Sequence, residues 1–254
     1  MKLKYKLSLW LICLYRTRGD IIMISPRVAK IIGYLPKGLV EAVSRKIVDG
    51  YLKKYANIEV KGMENLKDVR NPIIFISNHL SNSDALVLNK VLKNKDITFI
   101  AGAKLSDNPL TSLGISITKT ITIKPNTADK EAISKVIRTL KDGNNILIFP
   151  EGTRSRTTGM ISAKKGVVLI QKLTKAAVIP LGICGSEKLL PIDDKDMGLE
   201  KFQHAKVTIN IGEQIELPEK EKEEDKHDYE ERAMDLLMRK IAVLLPEEYR
   251  GVYR

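Results

Sequence analysis

From residue 57 onward, short runs rich in Ile, Val, Phe and Thr alternate with longer stretches of helical period, and this alternation constrains the fold more than any other feature. The runs at residues 58–60, 73–77, 97–101, 117–123, 146–149, 178–183 and 207–211 predict seven strands. Residues 84–92, 128–141 and 162–174 predict helices between them. Strands alternating with helices argue for an α/β domain with a mostly parallel central sheet covered by helices. The sequence has no internal repeat and no Gly-rich dinucleotide fingerprint.

At 254 residues the chain accommodates one fair-sized domain with additions at either end. We place an α/β core at residues 56–218. A basic, helical, membrane-interface appendage is expected at residues 1–55, and a charged segment leading into an amphipathic helix at residues 219–254. Within residues 26–55 the pattern suggests two helices broken around Gly33 to Gly38. The two cysteines, Cys13 and Cys184, lie far apart and match no metal or disulfide spacing, which points to reduced thiols and a cytosolic setting.

The formal net charge is +12, so anions are the expected partners. Its distribution narrows the choice: residues 1–56 hold twelve Lys or Arg against Asp20, Glu41 and Asp49. The apolar run at residues 7–15 is flanked by basic residues and is too short to cross a bilayer, which takes roughly 20 apolar residues. A signal peptide is the rival reading, but Tyr15-Arg16-Thr17-Arg18 is a poor cleavage site. A helix lying in the interface of an anionic membrane fits better, which predicts a peripheral or monotopic protein on the cytoplasmic face. Nucleic acid is not an expected partner, because with aromatics at 5% there is little to stack bases.

Two segments carry chemistry. The first is the apolar run ending at Ser77, followed by Asn78-His79-Leu80-Ser81-Asn82-Ser83-Asp84. His79 sits where a strand gives way to a helix, the edge at which α/β sheets bind ligands. Asp84 is placed to hold one imidazole nitrogen, so that the other is free to take a proton from a hydroxyl. On spacing alone, His79 as an ordinary loop residue and Asp84 as a helix cap remain open. No second histidine or cysteine pair lies nearby, so no metal site is expected. The second segment, Phe149-Pro150-Glu151-Gly152-Thr153-Arg154-Ser155, again follows an apolar run. Glycine admits a ligand to the backbone and arginine offers a planar fork for phosphate oxygens.

Together these segments resemble the glycerophospholipid acyltransferase family. Asn78, His79, Ser81 and Asp84 match its N-H-x-S-x-x-D block, residues 149–155 match its F-P-E-G-T-R-S block, and residues 178–183 match an apolar V-I-P-x-x-I block. The likeness covers residues 57–217. It departs at the family's second block, where Lys124 stands in place of the usual arginine and loses the bidentate fork.

The resemblance implies transfer of an acyl group from an acyl carrier protein or coenzyme A thioester to the free hydroxyl of 1-acylglycerol-3-phosphate, giving phosphatidic acid in phospholipid synthesis. Glycerol 3-phosphate or another lysolipid is the alternative acceptor. It implies His79 as base with Asp84 orienting it, and Lys104, Lys124, Glu151, Gly152, Thr153 and Arg154 as acceptor-binding residues. Glu151 is expected to steady Arg154 or a glycerol hydroxyl. No cofactor beyond the thioester co-substrate is implied.

Overall fold

The computed structural model describes residues 26–102, 114–124, 127, 129–193 and 200–254. Seven strands form one sheet: β1 (Ala56–Lys61), β2 (Ile73–Ser77), β3 (Ile97–Gly102), β4 (Lys119–Ile123), β5 (Asn145–Ile148), β6 (Ala177–Cys184) and β7 (Ala205–Ile211). Their spatial order is β1-β7-β6-β2-β5-β3-β4. All pairings are parallel except β6 with β7. The expected mostly parallel, helix-covered sheet is what forms.

Period-two alternation explains how the sheet is covered on both faces. Ile74 and Ile76 point to one side, where they meet Val136 and Leu140 of α4 (Lys130–Lys141), Val167 of α5 (Gly166–Thr174) and Leu237 of α6 (Lys226–Ala242). Ile73 and Phe75 point to the other, against Val48 and Leu52 of α2 (Lys37–Tyr55) and Val87 and Leu88 of α3 (Ser83–Val91). Every residue of β2 is buried, as a central strand covered on both sides must be.

Helix α1 (Pro26–Gly33) precedes α2, as the sequence pattern suggested. The boundary expected at residue 55 is not a break in packing, however. Val48 and Leu52 lie in the same apolar cluster as Ile73 and Phe75, so α2 is one layer of the core. Ala29 and Ile32 of α1 pack in turn on Ile47 and Tyr51. The apolar run at residues 7–15 lies outside the described residues. Among the described residues no helix is long and apolar enough to cross a membrane.

Because β2 to β6 run in one direction, their C-terminal ends share one edge of the sheet. The loops after Ser77 and Ile148 are neighbours there, since β2 pairs directly with β5. That places His79 beside residues 149–155.

Candidate active site

The chain leaves the sheet at Asn78 without breaking its hydrogen-bond ladder. Asn78 Nδ2 donates to the Ile183 carbonyl at 2.8 Å, and the Ile183 N–H donates to Asn78 Oδ1 at 2.9 Å. The side-chain amide thus stands in for a peptide group against β6, while the main chain turns away. The turn is held from below by Ser81, whose hydroxyl donates to the Leu190 carbonyl at 2.7 Å and accepts from the Ser83 N–H at 3.1 Å. His79 is therefore the second residue past β2, on a loop that Asn78 and Ser81 pin down.

Asp84 lies in the first turn of α3 and is fully buried. Its Oδ2 is 2.8 Å from His79 Nδ1 and accepts the N–H groups of Leu80 at 2.7 Å and Ser81 at 3.0 Å. An oxygen already accepting two backbone N–H groups meets the imidazole as an acceptor as well. Nδ1 then carries the proton and Nε2 the lone pair. The imidazole also stacks on Phe149, with ring centroids 4.0 Å apart and planes 15° from parallel. Its side chain remains 17% exposed. The contact foreseen between His79 and Asp84 is made, and Phe149 and two backbone amides reinforce it.

The role expected for Glu151 needs correction. Its carboxylate turns to the backbone and not to Arg154: it is 2% exposed, and its two oxygens accept the N–H groups of His79 at 2.8 Å and Ile161 at 2.9 Å. Burial pushes its carboxyl up to about 7, and those two N–H groups pull against the rise. The Ser155 N–H also donates to the His79 carbonyl at 2.8 Å. The second segment thus grips the backbone of His79 on both sides of its Cα. Gly152 and Thr153 sit at the exposed tip of this loop. Gly152 has φ +70°, and a Cβ there would come within 3.0 Å of the Lys164 side chain, a residue that sequence reasoning did not single out.

Arg154 is held by Glu200, with Nη1 to Oε1 at 2.6 Å. The other oxygen of Glu200 accepts Asn82 Nδ2 at 2.8 Å. One carboxylate therefore ties the loop of Arg154 to the loop of His79. Nothing in the sequence marked Glu200, an acid 46 residues beyond Arg154. Lys124 sits at the same sheet edge but exposed, at the end of β4. Three strand spacings separate β4 from β2, about 14 Å, so Lys124 does not share the immediate neighbourhood of His79. Lys104 lies outside the described residues. Among the described residues no group of three or more His, Cys, Asp or Glu is arranged to hold a metal ion.

The family model for acyltransferases matches residues 57–184, the stretch that builds this sheet edge. The chain belongs to the acyltransferase family. This acyltransferase is 26% identical over 159 residues to the chloroplastic 1-acyl-sn-glycerol-3-phosphate acyltransferase LPAT1 of Arabidopsis thaliana, covering 62% of this chain and 43% of that one. It is 27% identical over 147 residues to a probable 1-acyl-sn-glycerol-3-phosphate acyltransferase of Mycoplasma genitalium, covering 55% of each. The chain thus spans less than two thirds of the length of these curated relatives. Its fold is that of the 1-acyl-sn-glycerophosphate (LPA) acyltransferase PlsC from Thermotoga maritima, with a TM-score of 0.55, 21% identity, and coverage of 95% of this chain and 89% of that one.

Proposed function

We propose that this acyltransferase moves a fatty acyl group from an acyl carrier protein or coenzyme A thioester to the free hydroxyl of 1-acylglycerol-3-phosphate. The 2.8 Å contact between His79 Nδ1 and Asp84 carries the reading, because it leaves Nε2 as the base. Nε2 takes the hydroxyl proton as the oxygen attacks the thioester carbonyl. The tetrahedral oxyanion then collapses, the C–S bond breaks, and the departing thiolate takes the proton from the imidazolium. Asp84 stabilises that imidazolium, and no protein nucleophile is needed. Arg154 holds the acceptor's phosphate, with Thr153 and the Gly152 backbone beside it, and Lys104 and Lys124 are the further cations for that phosphate. The names of the relatives support this acceptor.

An acceptor with a fatty chain lies in a membrane, and the reading places the protein on the cytoplasmic face of one. Helix α1 and the turn after it expose Ile31 and Tyr34, at 51% and 78%, between the cations Lys30 and Lys37, which suits an anionic lipid surface. The test is to incubate purified protein with labelled acyl-carrier-protein or coenzyme A thioester and a panel of acceptors in vesicles. Phosphatidic acid formation by the wild type, absent in His79→Ala, is the expected result. Turnover of glycerol 3-phosphate or a lysolipid with another headgroup in preference to 1-acylglycerol-3-phosphate reassigns the acceptor. Wild-type turnover by His79→Ala sinks the mechanism.

A further inference from the structure

Residues 246–254 are bonded to the backbone that follows the loop of residues 149–155. The Met160 N–H donates to the Tyr249 carbonyl at 2.9 Å, and the Val252 N–H donates to the Met160 carbonyl at 3.1 Å. Met160 thereby exchanges both of its peptide groups with this segment, as a strand partner would. Three residues on, the Ala163 N–H donates to the Tyr253 hydroxyl at 3.1 Å. Gly251 sits between these bonds with φ +54°, and a Cβ on it would lie 2.0 Å from the Met160 carbonyl oxygen. Only glycine permits that approach. The segment is itself anchored, since the Tyr249 hydroxyl donates to Glu187 at 2.7 Å just beyond the end of β6.

What lies between Met160 and Ala163 gives these bonds their consequence. Ile161 donates its N–H to Glu151 Oε2, and the other oxygen of Glu151 takes the N–H of His79. We propose that residues 246–254 act as a positioning latch for His79, holding the backbone at residues 160–163 so that Ile161 fixes the Glu151 carboxylate and Glu151 fixes the His79 main chain. The relay needs no movement and no substrate. It sets where the imidazole stands relative to Asp84 before any ligand binds, and for an acyl transfer that depends on one correctly placed base it governs turnover and not affinity. This functional consequence rests on the acyl-transfer reading above; the structural relay does not.

Two substitutions loosen the latch. Tyr253→Phe keeps the ring and its packing but removes the acceptor for the Ala163 N–H. Gly251→Ala forces the segment off Met160. Amide hydrogen exchange followed by NMR reads the relay directly: at Ile161 and His79 we expect exchange about tenfold faster in Tyr253→Phe, and faster again in Gly251→Ala. The amide of Ile183, held by Asn78 outside the relay, is the control and should keep its wild-type rate. In the acyl-transfer assay, kcat should fall about tenfold with both KM values within about twofold of wild type. If Gly251→Ala does not fold, Tyr253→Phe decides alone. Wild-type exchange at Ile161 and His79, or a rise shared equally by Ile183, overturns the latch. A wild-type protein that transfers no acyl group defeats the proposed function instead, and the exchange rates still decide the latch.

Discussion

Glu200 Oε1 lies 2.6 Å from Arg154 Nη1 while its second oxygen holds Asn82, so a single buried carboxylate couples the guanidinium proposed to bind phosphate to the loop that carries the base. Its side chain is 3% exposed and that of Arg154 is 17% exposed, so solvent screens the pair only weakly. Arg154 presents further N–H groups beyond the one that Glu200 takes, and the carboxylate fixes the direction in which they point.

Glu200→Gln should therefore raise the acceptor's KM about tenfold and leave the donor's unchanged, since a charge-assisted contact is worth about 1.5 to 3 kcal/mol. Arg154→Ala should cost the acceptor term roughly ten- to a hundredfold by the same reasoning. It should also destabilise the fold by about 3 kcal/mol, because it strands a buried carboxylate. Steady-state kinetics with each substrate varied in turn, together with urea melts, separate the two effects. A rise confined to the donor's KM would move residues 151–155 to the thioester carrier.

Asp84→Asn keeps the shape of the carboxylate but puts an N–H where an acceptor is needed, against two backbone N–H groups and the imidazole. The ring then favours the tautomer with its proton on Nε2. We expect kcat to fall by about a hundredfold or more with little change in either KM, and turnover to remain above that of His79→Ala. A kcat within a few-fold of wild type, in a protein whose circular dichroism is unchanged, argues against the orienting role.

Glu151 predicts a pH dependence of stability. Its carboxyl is raised by burial to about 7 from an ordinary 4.5. Below the lower value both folded and unfolded chains hold the proton, and the favourable contribution of the protonated group is complete. As pH climbs from the lower to the upper value, the unfolded chain releases its proton first and stability drains away, by roughly 3 kcal/mol in all. Above pH 7 the contribution is gone and the curve flattens. Urea midpoints measured from pH 4.5 to 8 should fall for the wild type and fall less for Glu151→Gln. Parallel curves for the two proteins exclude Glu151 as the source.

At the N-terminal side, the packing separates two deletions. Removing residues 1–34 strips α1 and the residue after it, and with them the exposed Ile31 and Tyr34, and should weaken co-sedimentation with anionic vesicles while a cooperative melt survives. Removing residues 1–55 also uncovers the apolar side of β2, now held by Val48 and Leu52, and should leave no cooperative melt. Binding that persists unchanged after the shorter deletion places the membrane contact on another surface.

The sequence by itself was enough to determine the α/β class and the seven strands to within a residue or two at most ends, and it put His79 within reach of Asp84. The strands follow from local pattern, since period-two burial writes a strand, whereas the turn that closes His79 onto Asp84 is pinned by Asn78 to Ile183 and by Ser81 to Leu190, over a hundred residues away. Only the tertiary structure decided what Glu151 and Arg154 touch, and that α2 is a layer of the core. A carboxylate next in line to an arginine reads as its partner, but Glu151 turns inward to amides from residues 79 and 161, and Arg154 finds Glu200 instead. Lys124 came from the family resemblance, and the strand order set it three strands from His79. Partners separated by tens of residues meet because of the order in which strands are laid into the sheet, and no spacing along the chain records that order.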